Sequence, residues 1–426
     1  MYVFQHPGDP PHWNGTLKAD RRTILCKQFD PTTSSVVGIE DCLTLNIYTP
    51  AIITKPLPVI VFIFGGGLYK GSNTDDRYNA KYLVQKEVLV VTVNYRVGAF
   101  GFLCLKTKEA PGNVGIKDQV AALRWVKENI ATFGGDPHSV TLHGESVGGS
   151  SVSLFILAQK AEGLFNRAII DSGNAIRPMF FDRDPINTAA EVASRLGYNT
   201  TDPDELQKIF QNTTADEIVI ASTNNFTNNA YGRFVFSTCI EDVNVSKNVI
   251  LKEYPKGLLK SVKDIPEISI IMGYDNKDGI MWASDYNSEG LRDLDYDFTT
   301  VIPKSITFKT EENKSMFIED VRELYFNNSK TNIEGLINYF SDALVHYPSF
   351  LVMKAFLTNP RISLYNYYFK YDSHRNKYKL ASTLSSIPGA SHCDELYYLF
   401  DPVEYRQTTP TPEDSRMIGT TFSSSE

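Results

Sequence analysis

The apolar positions of this chain fall into two patterns. Val59 to Phe64 and Val88 to Val93 are the longest apolar runs. Such runs are too short to cross a bilayer and match strands buried on both faces of a parallel sheet. Glu40 to Tyr48 alternates apolar and polar positions, with β-branched and aromatic residues, up to Pro50; that predicts a half-buried strand with Cys42 near its start. From Ile116 to Ala131, Ile116, Val120, Leu123, Val126 and Ile130 recur at helical spacing. Phe133-Gly-Gly-Asp-Pro137 then breaks the chain, and Ser139 to His143 reads as the next strand. Strand, helix, strand is the order that a right-handed parallel crossover requires. The opening forty residues show no period and read as surface loop. The expected fold class is α/β, a mostly parallel sheet flanked by helices.

The strand at Ser139 runs into Gly144-Glu-Ser-Val-Gly148. Gly-x-Ser-x-Gly between a strand and a helix is a nucleophile elbow, which makes Ser146 the candidate nucleophile. Upstream, Val59 to Phe64 leads into Gly65-Gly-Gly67. Bare amides at a strand's C-terminal edge can stabilise the oxyanion of acyl transfer. The run lacks the Gly-Lys-Ser/Thr ending of a phosphate loop.

In this architecture the acid and then the base follow the serine along the chain. Of seven histidines, only His374 and His392 lie far enough downstream and follow a strand, Leu364 to Phe369. His374 reads as an ordinary surface residue, and His392 is the candidate base. The acid is expected after the apolar strand Ile268 to Met272, in Gly273-Tyr-Asp-Asn-Lys-Asp-Gly279, where Asp275 and Asp278 both qualify.

Composition narrows the partners. The 426 residues carry a net charge of −8 without a basic run, which excludes an electrostatic footprint for nucleic acid or an anionic membrane; a neutral or cationic substrate fits better. The five cysteines show no zinc spacing, so no metal and no cofactor are expected. Cys26 and Cys42 are either a disulfide closing a short loop or two buried thiols. Asn-x-Ser/Thr sequons at Asn14, Asn199, Asn212, Asn225, Asn244, Asn313 and Asn327 favour a secreted, glycosylated chain. The first residues do not form a signal peptide.

Six segments taken in order resemble motifs of the type-B carboxylesterase/cholinesterase family of α/β-hydrolases. They are Glu40 to Tyr48, Phe64 to Gly67, Asn94-Tyr-Arg-Val-Gly98, Pro111 to Gln119, Phe133 to Pro137 and Gly144 to Gly148. The resemblance implies a single α/β-hydrolase domain over 1–426, expected to be incomplete at both ends relative to the family. It implies a Cys26–Cys42 disulfide, and it makes Pro388 to Phe400 the catalytic-histidine segment. The family's turn ends with an acid before a glycine, which places Asp278 as the triad acid, where Glu is usual, with Asp275 as the alternative. The oxyanion is assigned to the amides of Gly66, Gly67 and Val147.

Val147 stands where alanine is usual and is expected to crowd the acyl pocket. Phe64 and Cys393 also depart from the pattern, and Ser172 matches a serine beside the triad, unless it merely caps a strand end. No tryptophan lies between Cys26 and Cys42 to bind a quaternary ammonium. The implied activity is therefore hydrolysis of small to medium apolar carboxylic esters through an acyl-enzyme. The alternative is a silent or sequestering binding relative.

Overall fold

The structure, a computed structural model, describes residues 4–21, 23–223, 235–246, 248–303 and 306–420. Two short strands, β1 (Gln28–Asp30) and β2 (Ser35–Val37), pair as an antiparallel hairpin inside the stretch expected to be loop. The remaining strands form one sheet: β3 (Leu45–Tyr48), β4 (Leu57–Ile63), β5 (Leu89–Val93), β6 (Gly135–Glu145), β7 (Arg167–Asp171), β8 (Ile268–Asp275) and β9 (Ile362–Phe369). Their order is β3-β5-β4-β6-β7-β8-β9, with β3 antiparallel to β5 and all other pairs parallel. This is the expected α/β class, a mostly parallel sheet between helices.

The strand between Glu40 and Pro50 is shorter than the alternation suggested, because the segment from Glu40 to Thr44 turns through local backbone hydrogen bonds around Cys42. Conversely, β6 starts at Gly135, upstream of the predicted Ser139. The Gly-Asp-Pro break is absorbed as a shift of register against β4 between Leu57 and Val59. The predicted helix spans Val114–Asn129 and buries Ile116, Val120, Leu123 and Val126. The largely apolar β4 and β5 supply much of the core, with Thr92 the buried polar exception in β5. Cys26 and Cys42 are disulfide-bonded, and a second disulfide, Cys104–Cys239, was not foreseen.

After β4 the chain steps back to β5 and then crosses to β6 on β4's other side. This reversal opens a crevice at the carboxyl ends of the strands, the place where open α/β sheets bind ligands. The register aligns Glu145 at the end of β6 with Asp171 at the end of β7, and Asp171 with Gly273 in β8. The candidate site residues therefore emerge at one edge of the sheet.

Candidate active site

Ser146 joins β6 to the helix Val147–Ala158 with φ 56° and ψ −122°, a strained conformation for a residue with a side chain. Its amide donates to Asp171 O (2.8 Å), and its carbonyl accepts from Ser150 N (2.9 Å). The flanking glycines are sterically required. A Cβ on Gly148 would lie 2.1 Å from Ile63 O, and one on Gly144 would lie 2.4 Å from Gly148 C. A sharp, close-packed turn thus presents the hydroxyl at the strand end.

His392 Nε2 lies 2.8 Å from Ser146 Oγ, and its Nδ1 lies 2.5 Å from Asp278 Oδ1. Asp278 and His392 come from loops stitched together by Lys277 N donating to Ala390 O (3.0 Å) and Ala390 N donating to Asn276 Oδ1 (2.8 Å). Gly279 has no room for a Cβ, which would sit 2.0 Å from Ile337 O. That contact explains why the acidic residue is followed by glycine. All three side chains are buried, with Ser146 the most accessible at 6%. Asp275 is also fully buried but does not contact His392. Burial pushes its carboxyl, and that of Glu395, well above the usual range.

Asp278 lies between two imidazoles. His346 Nε2 is 3.3 Å from its Oδ2 and donates its hydrogen bond to Asp275 O (2.9 Å), while His346 Nδ1 meets Asp342 Oδ1 at 3.1 Å. Burial opposes ionisation of Asp278, but its contacts with His346 and His392 outweigh that effect and hold the carboxyl down at about 2. For His346, burial disfavours the charge, yet the contacts with Asp278 and Asp342 raise its pKa to about 9. Nothing local marks His346 in the sequence. It is brought in by a π-helical turn, Asp342–His346, between the helices Ile333–Ser341 and Tyr347–Phe356.

Other polar groups surround the serine. Glu145 Oε1 is 3.4 Å from His392 Nε2 and accepts a hydrogen bond from Cys393 Sγ at 2.8 Å; burial raises the Glu145 carboxyl. Among the described residues, Glu145, His392 and Cys393 are the group whose atoms converge closely enough to hold a metal ion, within 4.8 Å, and hydrogen bonds within the site already engage them. Arg177, which sequence reasoning did not single out, donates from Nη1 to Ser146 Oγ at 3.1 Å. Its guanidinium also lies 5.3 Å over the ring of Trp282, which packs 5.0 Å from the His392 ring. Behind the elbow, His143 Nε2 and Tyr367 OH meet Asp171 at 2.5 and 2.7 Å.

Gly65 packs tightly enough that a Cβ would lie 2.8 Å from Ser146 Cβ. Gly66 and Gly67 follow with φ 107° and 66°. Val147 begins the elbow helix, and its side chain is wholly inside the main core. Phe64 stacks on Tyr95 at 4.3 Å. Ser172 follows β7 with φ 46°, buried, its amide bonded to Gly273 O at 2.9 Å. His374 is half-exposed beside Asp414, away from these residues. The sequon asparagines 14, 199, 212, 244, 313 and 327 are exposed, and Asn225 lies outside the described residues.

The Carboxylesterase family model matches residues 2–423 of the chain. The chain is 30% identical over 434 residues to juvenile hormone esterase of Heliothis virescens, covering 95% of this chain and 74% of that protein. It is 32% identical over 429 residues to juvenile hormone esterase of Tribolium castaneum, covering 93% and 71%. Among solved structures it is similar to juvenile hormone esterase from Manduca sexta with OTFP covalently attached. That match has a TM-score of 0.87 and 26% identity, and covers 98% of this chain and 80% of that one.

Proposed function

The chain belongs to the carboxylesterase family and is a carboxylic-ester hydrolase, and on that premise we propose that it works through an acyl-enzyme on Ser146. Ser146 Oγ attacks the ester carbonyl while His392 Nε2 takes its proton. Asp278 fixes the imidazole's tautomer and stabilises the imidazolium. The amides of Gly66, Gly67 and Val147 hold the oxyanion. The alcohol leaves with the proton from His392, and water, activated by the same imidazole, releases the acid. The observation that carries this reading is the unbroken line from Ser146 Oγ through His392 to Asp278, with contacts of 2.8 and 2.5 Å.

The substrates are small to medium carboxylic esters. The protein acts outside the cell, a proposal supported by two disulfides and by exposed sequons. No helix among the described residues is long and apolar enough to cross a membrane. Covalent labelling by a fluorophosphonate, with ester turnover measured alongside, tests the mechanism. Label at Ser146 with sustained turnover, both abolished in Ser146→Ala, is expected. Well-folded protein that takes no label would overturn the mechanism, and label without turnover would indicate a sequestering protein.

A further inference from the structure

Cys393 departs from the family's pattern and takes no part in the proposed mechanism, yet its thiol lies beside the base. Cys393 Sγ donates to Glu145 Oε1 at 2.8 Å, and that oxygen lies 3.4 Å from His392 Nε2. The three ligand atoms all fall within 4.8 Å of one another, in residues that are all buried. Thiolate, imidazole and carboxylate are the donors that bind zinc. Nothing in the spacing announces the group, because Glu145 and Cys393 are 248 residues apart and meet only where the elbow faces the histidine loop. Cys393 also has φ 72°, a conformation that glycine adopts freely and a residue with a side chain does not.

The spacing of the three atoms suits such an ion. Ligands held at about 2.0–2.3 Å around a tetrahedral zinc stand about 3.3–3.8 Å from one another. His392 Nε2 and Glu145 Oε1 are already 3.4 Å apart. Sγ and Oε1 are drawn together by the thiol proton, and with that proton gone they need to separate by only about 1 Å or less. The charge balance suits it as well. Arg177 already acts on Glu145, so an ion that brought uncompensated positive charge would be repelled. A thiolate and a carboxylate together neutralise a divalent cation, and a buried charge that is matched by its ligands escapes most of the cost of burial.

We propose that Glu145, His392 and Cys393 form an inhibitory site for Zn²⁺. The ion arrives by the path that brings an ester to Ser146, the most accessible member of the triad. It bonds to Cys393 Sγ, Glu145 Oε1 and His392 Nε2, with water in the fourth position; the S–H bond breaks and its proton passes to solvent. The Nε2 lone pair that would take the proton of Ser146 is then held by the metal, and attack stops until the ion leaves. The inhibition rests on His392 acting as the base, as proposed above, whereas the binding does not.

The test uses the intact protein, Cys393→Gly, which suits the backbone at φ 72°, and Cys393→Ser. Equilibrium dialysis counts bound Zn²⁺. Turnover of p-nitrophenyl acetate and labelling by a fluorophosphonate are followed without Zn²⁺, with it, and after EDTA is added. The native protein is expected to bind Zn²⁺ at this site, and binding should slow both turnover and labelling until EDTA removes the ion. Each variant, referred to its own metal-free rate, should need about tenfold more Zn²⁺ or higher still, the loss expected when a metal site is damaged. Mg²⁺, which takes oxygen ligands, should not inhibit. Native protein that neither binds Zn²⁺ nor is slowed by it overturns the proposal. So does inhibition equally strong in both variants, which would place the ion elsewhere, and so does Zn²⁺ that binds through Cys393 without slowing turnover. Absence of label and of turnover before any metal is added would instead overturn the role of Ser146, and dialysis would still decide the site.

Discussion

Replacing His346 by Gln removes a charge behind the proposed acid while leaving a side chain that can still donate to Asp275 O. In the native protein both ring nitrogens face acceptors, Asp342 Oδ1 on one side and Asp275 O with Asp278 Oδ2 on the other. Only the imidazolium donates from both nitrogens. The ring stacks on Tyr274 at 4.3 Å and meets Tyr368 at 6.4 Å, and burial raises both phenols, so both stay neutral around pH 7. The other oxygen of Asp342 accepts from Tyr325 OH at 3.0 Å. A cation therefore sits on the far side of Asp278 from His392, and it opposes the positive charge that His392 gains when it accepts the serine proton.

The size of that opposition follows from Coulomb's law. With the two rings roughly 7 Å apart across the carboxylate and an effective dielectric constant of about 20 to 40, the repulsion is roughly 1–2 kcal/mol, or about one pH unit. In His346→Gln, His392 takes up a proton more readily, and the neutral base that catalysis needs appears only at higher pH. The acid limb of kcat/KM should move up by about one unit. Ester turnover measured across pH 5 to 9, with melting temperatures to verify the fold, reads the shift directly. A folded variant whose acid limb stays in place or moves down would refute the reasoning.

The choice of acid is tested by Asp278→Asn and Asp275→Asn. The first should lower kcat by about 10³- to 10⁴-fold by holding His392 in the wrong tautomer, and the second should leave most activity; equal losses in single-turnover assays would contradict the assignment. Gly65→Ala would force a Cβ to within 2.6 Å of Glu145 Oε2 and 2.8 Å of Ser146 Cβ, so fluorophosphonate labelling should slow markedly with little change in melting temperature. Because His346 titrates at about 9 in the folded protein against about 6.5 unfolded, its stabilisation is complete below pH 6.5 and declines as the pH rises through 9. That decline should be absent from His346→Gln in thermal melts. Cys104→Ser with Cys239→Ser opens a loop of 135 residues and should cost about 5 kcal/mol in the chain-entropy account, read from denaturant midpoints.

What was legible in the sequence was what short-range geometry encodes. The elbow can be read because strand, turn and helix must follow one another within a few residues; the glycine at 144 answers to a contact with Gly148 inside the turn, whereas the one at 148 answers to Ile63 at the end of the neighbouring strand β4. His392 could be read from chain order, and Asp278 from its place before Gly279, a glycine imposed by the close approach of Ile337. Arg177 and His346 could not. Arg177 reaches Ser146 only because adjacent parallel strands bring the loop after β7 beside the elbow. His346 reaches Asp278 because a π-helical turn re-aims a side chain on a helix whose apolar period gives no sign of the insertion. The Cys104–Cys239 bridge is hidden for the same reason, since its spacing carries no signal of its own. The local motif therefore specifies the reaction, while residues brought in from distant segments set the electrostatics around it. The guanidinium at the nucleophile and the imidazole behind the acid both come from such distant segments, and the pH dependence predicted for His346→Gln is a test of that division.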